Sequence, residues 1–284
     1  MTTATAGPDT SRTEHSTGPR PNRLTMSEYE AAILDVDGTI VRGEELLAGA
    51  PAGIDALERA GCDRLLFSNN PTRSGDYYRE KLAPHGVDVD PSTVLTSASV
   101  STSYLRTTHP DERVYLVGGK RLEGILEAAG VDLTTEPDAA DVVLGSYTTD
   151  FSYGTLWESL RALEDDVPFY GTDPDTTIPV DDGLMPGTGA ILAAMEAVAG
   201  REPDAILGKP STVAADAAIE RLATDPARTL VVGDRLNTDI ALGNRAGMET
   251  ALVLTGVTDR ETLAASSIEP NYVLESLAEV DRLL

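Results

Sequence analysis

The sequence predicts an α/β protein with a largely parallel sheet, interrupted by an inserted second domain. Three observations carry that prediction. From about residue 29 onward, short β-rich apolar runs alternate with amphipathic, helix-period segments. Four of the runs end in polar, chemically useful residues, as strands do in open α/β sheets, where ligands gather beyond the carboxyl ends. The first two of those ends are separated from the last two by more than a hundred residues that carry strands and helices of their own.

Residues 1–27 come first. They are rich in Thr, Ser, Gly, Pro and Arg, show no apolar periodicity, and are expected to form a disordered tail, with Met26 a second candidate start. Ala31-Ala32-Ile33-Leu34 opens a strand expected over 31–36, which delivers Asp35-Val36-Asp37-Gly38-Thr39. A helix at 51–60 leads to a second strand, 64–68, whose Leu65-Leu66-Phe67 ends in Ser68-Asn69-Asn70-Pro71; a helix at 74–84 follows. The insert, expected over 91–203, holds strands at 113–117, 142–144 and 168–171 among helices at 97–106, 120–129, 153–163 and 188–199. The chain returns through a strand at 205–207 ending in Gly208-Lys209-Pro210, a helix at 211–223, and a strand at 229–232 ending in Gly233-Asp234. A helix at 238–246, a strand at 250–254 and a helix at 274–283 complete a core expected to comprise 28–90 and 204–284.

Composition removes several functional classes. The net charge of −25 is spread along the chain, which argues against nucleic-acid binding and against anionic membrane surfaces. The longest apolar run, 190–195, is far too short to cross a bilayer, and no signal-peptide pattern is present, so the protein is expected to be cytoplasmic. Only three lysines occur (Lys81, Lys120 and Lys209). An acidic surface of this kind suggests a halophilic protein, since at about 1 M salt the Debye length falls to about 3 Å and self-repulsion is screened. An acidic protein from ordinary cytoplasm is the alternative. Cys62 stands alone, and His15, His85 and His109 are scattered, leaving little material for a disulfide, a zinc hydrolase or a serine triad.

The strand ends carry the chemistry. Side chains two apart on a strand point the same way, so Asp35 and Asp37 can converge. Two buried anions side by side need a cation between them. A metal, with Asp35 as nucleophile and Asp37 as proton donor and acceptor, makes sense of the pair. Ser68, Asn69 and Asn70, just before a helix, suit phosphate oxygens, although a turn with a helix cap fits them equally. Lys209 could neutralise both a phosphate and a carboxylate; an ordinary surface lysine is the alternative, made less attractive by the scarcity of lysine. Asp234 suits a metal ligand, or simply a turn. Asp239, five residues on, could hold Lys209 or a metal-bound water, or merely favour a helix dipole.

Together, Asp-x-Asp-Gly-Thr, Ser-Asn-Asn, Gly-Lys-Pro and Gly-Asp-x-x-x-x-Asp, in that order, resemble the haloacid dehalogenase superfamily of phosphatases. The likeness is to its type IIA capped subgroup, the nitrophenylphosphatase and NagD-like enzymes. Tyr170-Gly171-Thr172-Asp173-Pro174-Asp175, followed by Pro186-Gly187-Thr188-Gly189-Ala190, extends it into the insert. The resemblance implies a Rossmann-like doubly wound core with an inserted α/β cap. It also implies Mg²⁺-dependent hydrolysis of small phosphomonoesters (sugar phosphate, phosphoglycolate, glycerol phosphate or nucleotide) through an aspartyl-phosphate. Asp35 would attack phosphorus, and Asp37 would protonate the leaving oxygen and then activate water. Asp35, the main-chain carbonyl of Asp37, and Asp234 would hold Mg²⁺, with Asp239 in support. Ser68, Asn69 and Lys209 would grip the phosphoryl oxygens.

Asn70, Thr172, Asp173 and Asp175 are the candidates for substrate specificity. Asp173 stands where relatives often carry Asn. A charge facing the site would favour substrates with a hydroxyl or amine over a second phosphate; acidic drift of the whole sequence also accounts for it. The expected partner is a small phosphorylated metabolite, with a homodimer through the cap compatible. Two other readings stay open: phosphoryl transfer to an organic acceptor on the same fold, and a receiver-like signalling module, against which the chain length and insert argue.

Overall fold

Strand Ala31–Leu34 lies inside a six-stranded sheet, flanked by Thr229–Gly233 and Asp63–Ser68. The computed structural model describes residues 29–180 and 183–284, together with Met1, so the expected tail over 1–27 falls, apart from Met1, outside the described residues. The sheet order is Tyr272–Leu274, Glu249–Val253, Thr229–Gly233, Ala31–Leu34, Asp63–Ser68, Val94–Thr96, and every pairing is parallel. Side-chain alternation feeds both faces. Ala32, Leu34, Leu66, Leu230 and Val232 pack with Leu57, Tyr78 and Leu82. Ile33, Leu65, Phe67 and Val231 pack with Ala214, Ala218 and Leu242. With helices on both faces, the strands read as continuous apolar runs rather than alternating ones.

A second parallel sheet, in the order Ala205–Ile206, Phe169–Gly171, Val142–Gly145, Val114–Val117, Leu133–Thr134, builds the insert. It is also sandwiched. Val114, Val142, Leu144 and Tyr170 face Leu122 and Leu126, while Tyr115, Val117, Val143 and Phe169 face Ile191, Leu192 and Met195. Helix Ser97–Thr108 joins the two units, with Val100 in the core layer and Ala98 and Leu105 in that of the insert. A Thr96–Ser99 capping box starts this helix at the end of the preceding strand. The architecture is thus the expected doubly wound α/β core carrying a second α/β unit.

Sheet membership changes a few residues from the expected limits of the insert. Val94–Thr96 belongs to the six-stranded sheet, and Ala205–Ile206 to the five-stranded one. Three apolar-to-polar residues are too few to register as a strand by pattern alone. The first strand stops at Leu34 rather than 36, because the chain turns there, with Val41 N–H bonded to the Val36 carbonyl (3.0 Å). The expected helix at 238–246 is a π-helical turn, Leu236–Ile240, followed by an α-helix, Ala241–Ala246. In place of a helix at 274–283 stand strand Tyr272–Leu274 and the 3₁₀ turn Leu277–Arg282. Two unforeseen antiparallel ribbons stand apart from the two parallel sheets: Val41–Arg42 with Glu45–Leu46, and Thr177–Val180 with Gly183–Pro186. Among the described residues, no helix is long and apolar enough to cross a membrane.

Candidate active site

Three neighbouring strands of the core sheet, Thr229–Gly233, Ala31–Leu34 and Asp63–Ser68, bring Asp234, Asp35 and Ser68 to their carboxyl ends. Asp35 continues the ladder by one bond, its N–H donating to the Val232 carbonyl (2.9 Å). Its side chain is buried at the carboxyl end of Ala31–Leu34. Asp234 follows Thr229–Gly233 and is fully buried. Asp239, within the π-helical turn, folds back so that its Oδ2 accepts the Arg235 N–H (3.0 Å). One oxygen from each of Asp35, Asp234 and Asp239 lies within 4.8 Å of the others.

Lys209 reaches this cluster from the far side of the insert. Only 2% exposed, its Nζ donates to Asp35 Oδ1 (2.8 Å), Asp239 Oδ1 (2.7 Å) and the Phe67 carbonyl (2.6 Å). These three bonds use every hydrogen of the ammonium. Burial alone would lower its pKa, but Asp239 and Asp35 outweigh that and hold it raised, so the charge persists. The same burial raises Asp35 well above the usual carboxylate range, against the pull of Lys209 and with Asp239 and Asp234 adding to the rise. Burial and the Asp239 charge push Asp234 up to about 6. Three carboxylates against one ammonium leave an anionic excess that a cation would relieve.

The cluster fits a hard divalent ion. Asp234 Oδ2 accepts the Val257 N–H (2.6 Å), but its Oδ1 is buried and accepts no hydrogen bond among the described residues. Carboxylate oxygens are the donor set suited to Mg²⁺. Backbone crowds close around them: a Cβ on Gly256 would stand 1.8 Å from Asp234 Oδ2, and one on Gly38 (φ +105°) 2.4 Å from the same atom. Gly256 and Val257 went unnoticed in the sequence, although they sit just past an expected strand end.

Asp37 is placed differently from the expectation. Its carboxylate is not part of the cluster, whose carboxylates are those of Asp35, Asp234 and Asp239. The turn through Gly38, with Gly38 N–H bonded to the Val41 carbonyl (2.7 Å), carries the Asp37 side chain outward. It is 49% exposed and lies 3.5 Å from Lys81 Nζ. The metal ligand expected of Asp37 is its main-chain carbonyl, not this carboxylate.

Ser68 closes the second strand and is buried. Its Oγ accepts from Tyr78 Oη (2.8 Å) and from the Asn70 N–H (3.1 Å). The Asn69 side chain is turned to the Lys209 loop. Its Oδ1 accepts the Lys209 N–H (2.8 Å) and its Nδ2 donates to the Lys209 carbonyl (3.0 Å), so the amide clamps the Lys209 loop to the strand. Asn70 Oδ1 is likewise occupied, accepting from Thr72 N (2.9 Å) and Thr72 Oγ1 (2.8 Å).

Of the four specificity candidates, Asp175 is the one that pairs with a charged residue beside the cluster. It lies 3.5 Å from Arg235 Nη1, and burial raises its pKa against the pull of Arg235 and Lys209. Asp173 does not present a charge to the cleft. It is 2% exposed, and its carboxylate accepts from Thr188 Oγ1 (2.7 Å), Thr172 Oγ1 (3.0 Å) and the Asp175 N–H (3.2 Å). Thr172 is equally enclosed, bonded to Ser146 Oγ (2.9 Å). These side chains shape the loop from within rather than face a substrate.

Comparison with known proteins bears on this geometry. Residues 32–132 match the family model described as haloacid dehalogenase-like hydrolase, and residues 206–280 match a second, HAD-hydrolase-like model. An acid sugar phosphatase of Staphylococcus epidermidis is 32% identical over 252 residues, covering 89% of this chain and 96% of that protein. A glycerol-3-phosphate phosphatase of Gallus gallus is 35% identical, covering 91% of this chain and 93% of that one. The structure of a p-nitrophenyl phosphatase from Archaeoglobus fulgidus superposes with a TM-score of 0.85 at 31% identity, covering 90% of this chain and 99% of the other.

Proposed function

The chain belongs to the haloacid dehalogenase-like hydrolases, among the NagD and 4-nitrophenylphosphatase enzymes, and is a phosphatase of small phosphorylated substrates; on that premise we propose that it uses Mg²⁺ and an aspartyl-phosphate on Asp35. The observation that carries this reading is the buried Asp35 carboxylate at a strand end, sharing the Lys209 ammonium with Asp239. With Oδ1 fixed by Lys209, Asp35 is oriented and its Oδ2 is only weakly held, by Thr39 Oγ1 at 3.4 Å. In this reading Asp35 attacks phosphorus and releases the organic alcohol. The half-exposed Asp37 gives that leaving oxygen its proton, then takes one from the water that frees inorganic phosphate.

The Lys209 hydrogens are all engaged, so the lysine serves the transferring group by its charge. Ser68 supplies a hydroxyl donor, and Asn69 acts through the Lys209 loop and offers its main-chain N–H to phosphate. Asp35, Asp234 and the Asp37 carbonyl would hold the metal, beside Asp239. Bound there, Mg²⁺ would offset the repulsion between attacking carboxylate and phosphate dianion and stabilise charge on the transferring group.

We place the unit built on the five-stranded sheet as a cap over the acidic cluster; the Asp175–Arg235 pair supports that placement. Among the expected substrates, small sugar and polyol phosphates are favoured, in keeping with what the relatives are named for. A homodimer through the cap is in keeping with the exposed Tyr153, Trp157 and Leu184, and light scattering tests it.

The direct test is phosphate release from p-nitrophenyl phosphate in salt-matched buffer. Turnover should require Mg²⁺ and fall at least about a thousandfold in Asp35→Asn. Acid-quenched enzyme should carry a phosphoryl mass on the Asp35 peptide. Metal-independent turnover, or full activity in Asp35→Asn, would overturn the reading. A stable phosphoryl-Asp35 without phosphate release would return the receiver-like alternative.

A further inference from the structure

Tyr78 is a wholly buried side chain in a layer of aliphatic neighbours. Phenylalanine would fill the same space without a polar atom to satisfy. Its ring packs edge-on against Tyr77, with centroids 5.2 Å apart at 80°. The helix that carries it, Gly75–Leu82, begins seven residues after Ser68 and turns the phenol back onto that strand end. There Tyr78 Oη donates to Ser68 Oγ at 2.8 Å.

The second bond to that oxygen decides what this means. Ser68 Oγ also accepts the Asn70 main-chain N–H (3.1 Å), a group that can only donate. A hydroxyl has two acceptor positions and one hydrogen. Both acceptor positions are filled, so the Ser68 hydrogen can be used only by an incoming acceptor. A phosphoryl oxygen is such an acceptor. The strand register sets Leu66 beside Leu34, so Ser68 lies just beyond the level of Asp35, next to the Phe67 carbonyl that holds Lys209.

We propose that Tyr78 is a positioning residue that fixes the Ser68 hydroxyl as a donor toward the transferring phosphoryl group. This rests on the phosphatase reading above and deepens it. Burial and the nearby Asp37 and Asp35 carboxylates push the phenol well above its ordinary range, so it keeps the hydrogen that it gives to Ser68. Without that hydrogen, the Ser68 hydroxyl regains a free acceptor position and can rotate to bind water as an acceptor instead.

The test compares wild type, Tyr78→Phe, Ser68→Ala and the double variant, assayed with p-nitrophenyl phosphate and with inorganic phosphate as product inhibitor. Tyr78→Phe should raise KM and the inhibition constant for phosphate about three- to tenfold, with a smaller fall in kcat, the size expected for one hydrogen bond. In the Ser68→Ala background the same substitution should change neither constant. A purely packing role would move the thermal midpoint and leave phosphate affinity alone, and that result overturns the proposal. So does an equal effect of Tyr78→Phe in both backgrounds. If Ser68→Ala is itself silent, the proposal falls together with the placement of Ser68. The phosphatase reading is judged separately, by Asp35→Asn. Phosphate-induced thermal shift in the presence of Mg²⁺ gives the affinities independently of turnover.

Discussion

Replacing Asp173 by Asn should stabilise the protein, and only above acid pH. Asp173 is sealed inside the insert loop, and although three neutral donors reach its carboxylate, burial and the neighbouring Asp175 push it up to about 7. The unfolded chain releases that proton near 3.8. Between these values the native state binds one more proton than the unfolded state, so rising pH favours unfolding. The stability that the protonated form supplies is complete below about 4 and is lost by the time the pH passes about 7. At about 1.4 kcal/mol per pH unit, the interval limits the effect to about 4 kcal/mol. Asn accepts from the Asp175 N–H and donates to the threonine hydroxyls without ever ionising. Urea unfolding followed by circular dichroism, for both proteins at fixed high salt, gives the difference in stability at each pH. That difference should be small at pH 4 and grow by about 2–4 kcal/mol in favour of Asn by pH 8. A difference that does not vary with pH would refute the burial argument, whatever its size.

Lys209→Met should abolish activity and, without metal, destabilise the fold by about 3–5 kcal/mol, because Asp35 and Asp239 are left buried and facing one another. Added Mg²⁺ should then restore part of the thermal midpoint but no turnover. Gly256→Ala, whose Cβ would stand 1.8 Å from Asp234 Oδ2, should raise the Mg²⁺ concentration for half-maximal activity about 10–100-fold, read from a metal titration. With a net charge of −25, the thermal midpoint should rise steadily from low to molar KCl; an unchanged midpoint would remove the case for a salt-adapted surface.

The core sheet was legible because its strands are buried on both faces. Ile33-Leu34, Leu65-Leu66-Phe67 and Leu230-Val231-Val232 are unbroken apolar runs that stop abruptly, at Asp35, at Ser68 and at Gly233-Asp234. The same abruptness exposed Asp35, Ser68 and Asp234. What the pattern could not carry was anything shorter than its own period. Val94–Thr96 and Leu133–Thr134 are too brief to alternate, and the ribbon at 41–46 depends on a turn rather than on hydrophobicity.

Side-chain direction failed at Asp37 for a related reason. The two-residue rule holds on a strand, but the strand had already ended at Leu34. Asp173 and Asn69 show a further limit. Polar residues in a motif read as ligand-facing, yet one is enclosed by threonines and the other is spent on the Lys209 main chain. Tyr78 left no trace in the pattern, since a buried tyrosine and a buried phenylalanine give the same periodic signal.

The three-way grip of Lys209 has a consequence for how the protein is made. Its ammonium ties Phe67 and Asp35, from the first part of the chain, to Asp239, and Lys209 itself lies 174 residues after Asp35. At about 5–20 residues per second, a ribosome needs roughly 10–35 s to cover that stretch. Throughout that interval Asp35 exists without its counter-charge or its acidic neighbours Asp234 and Asp239. A nascent chain that stops short of Lys209 lacks the ammonium that pairs with Asp35, so the acidic cluster is assembled only once synthesis has passed Asp239.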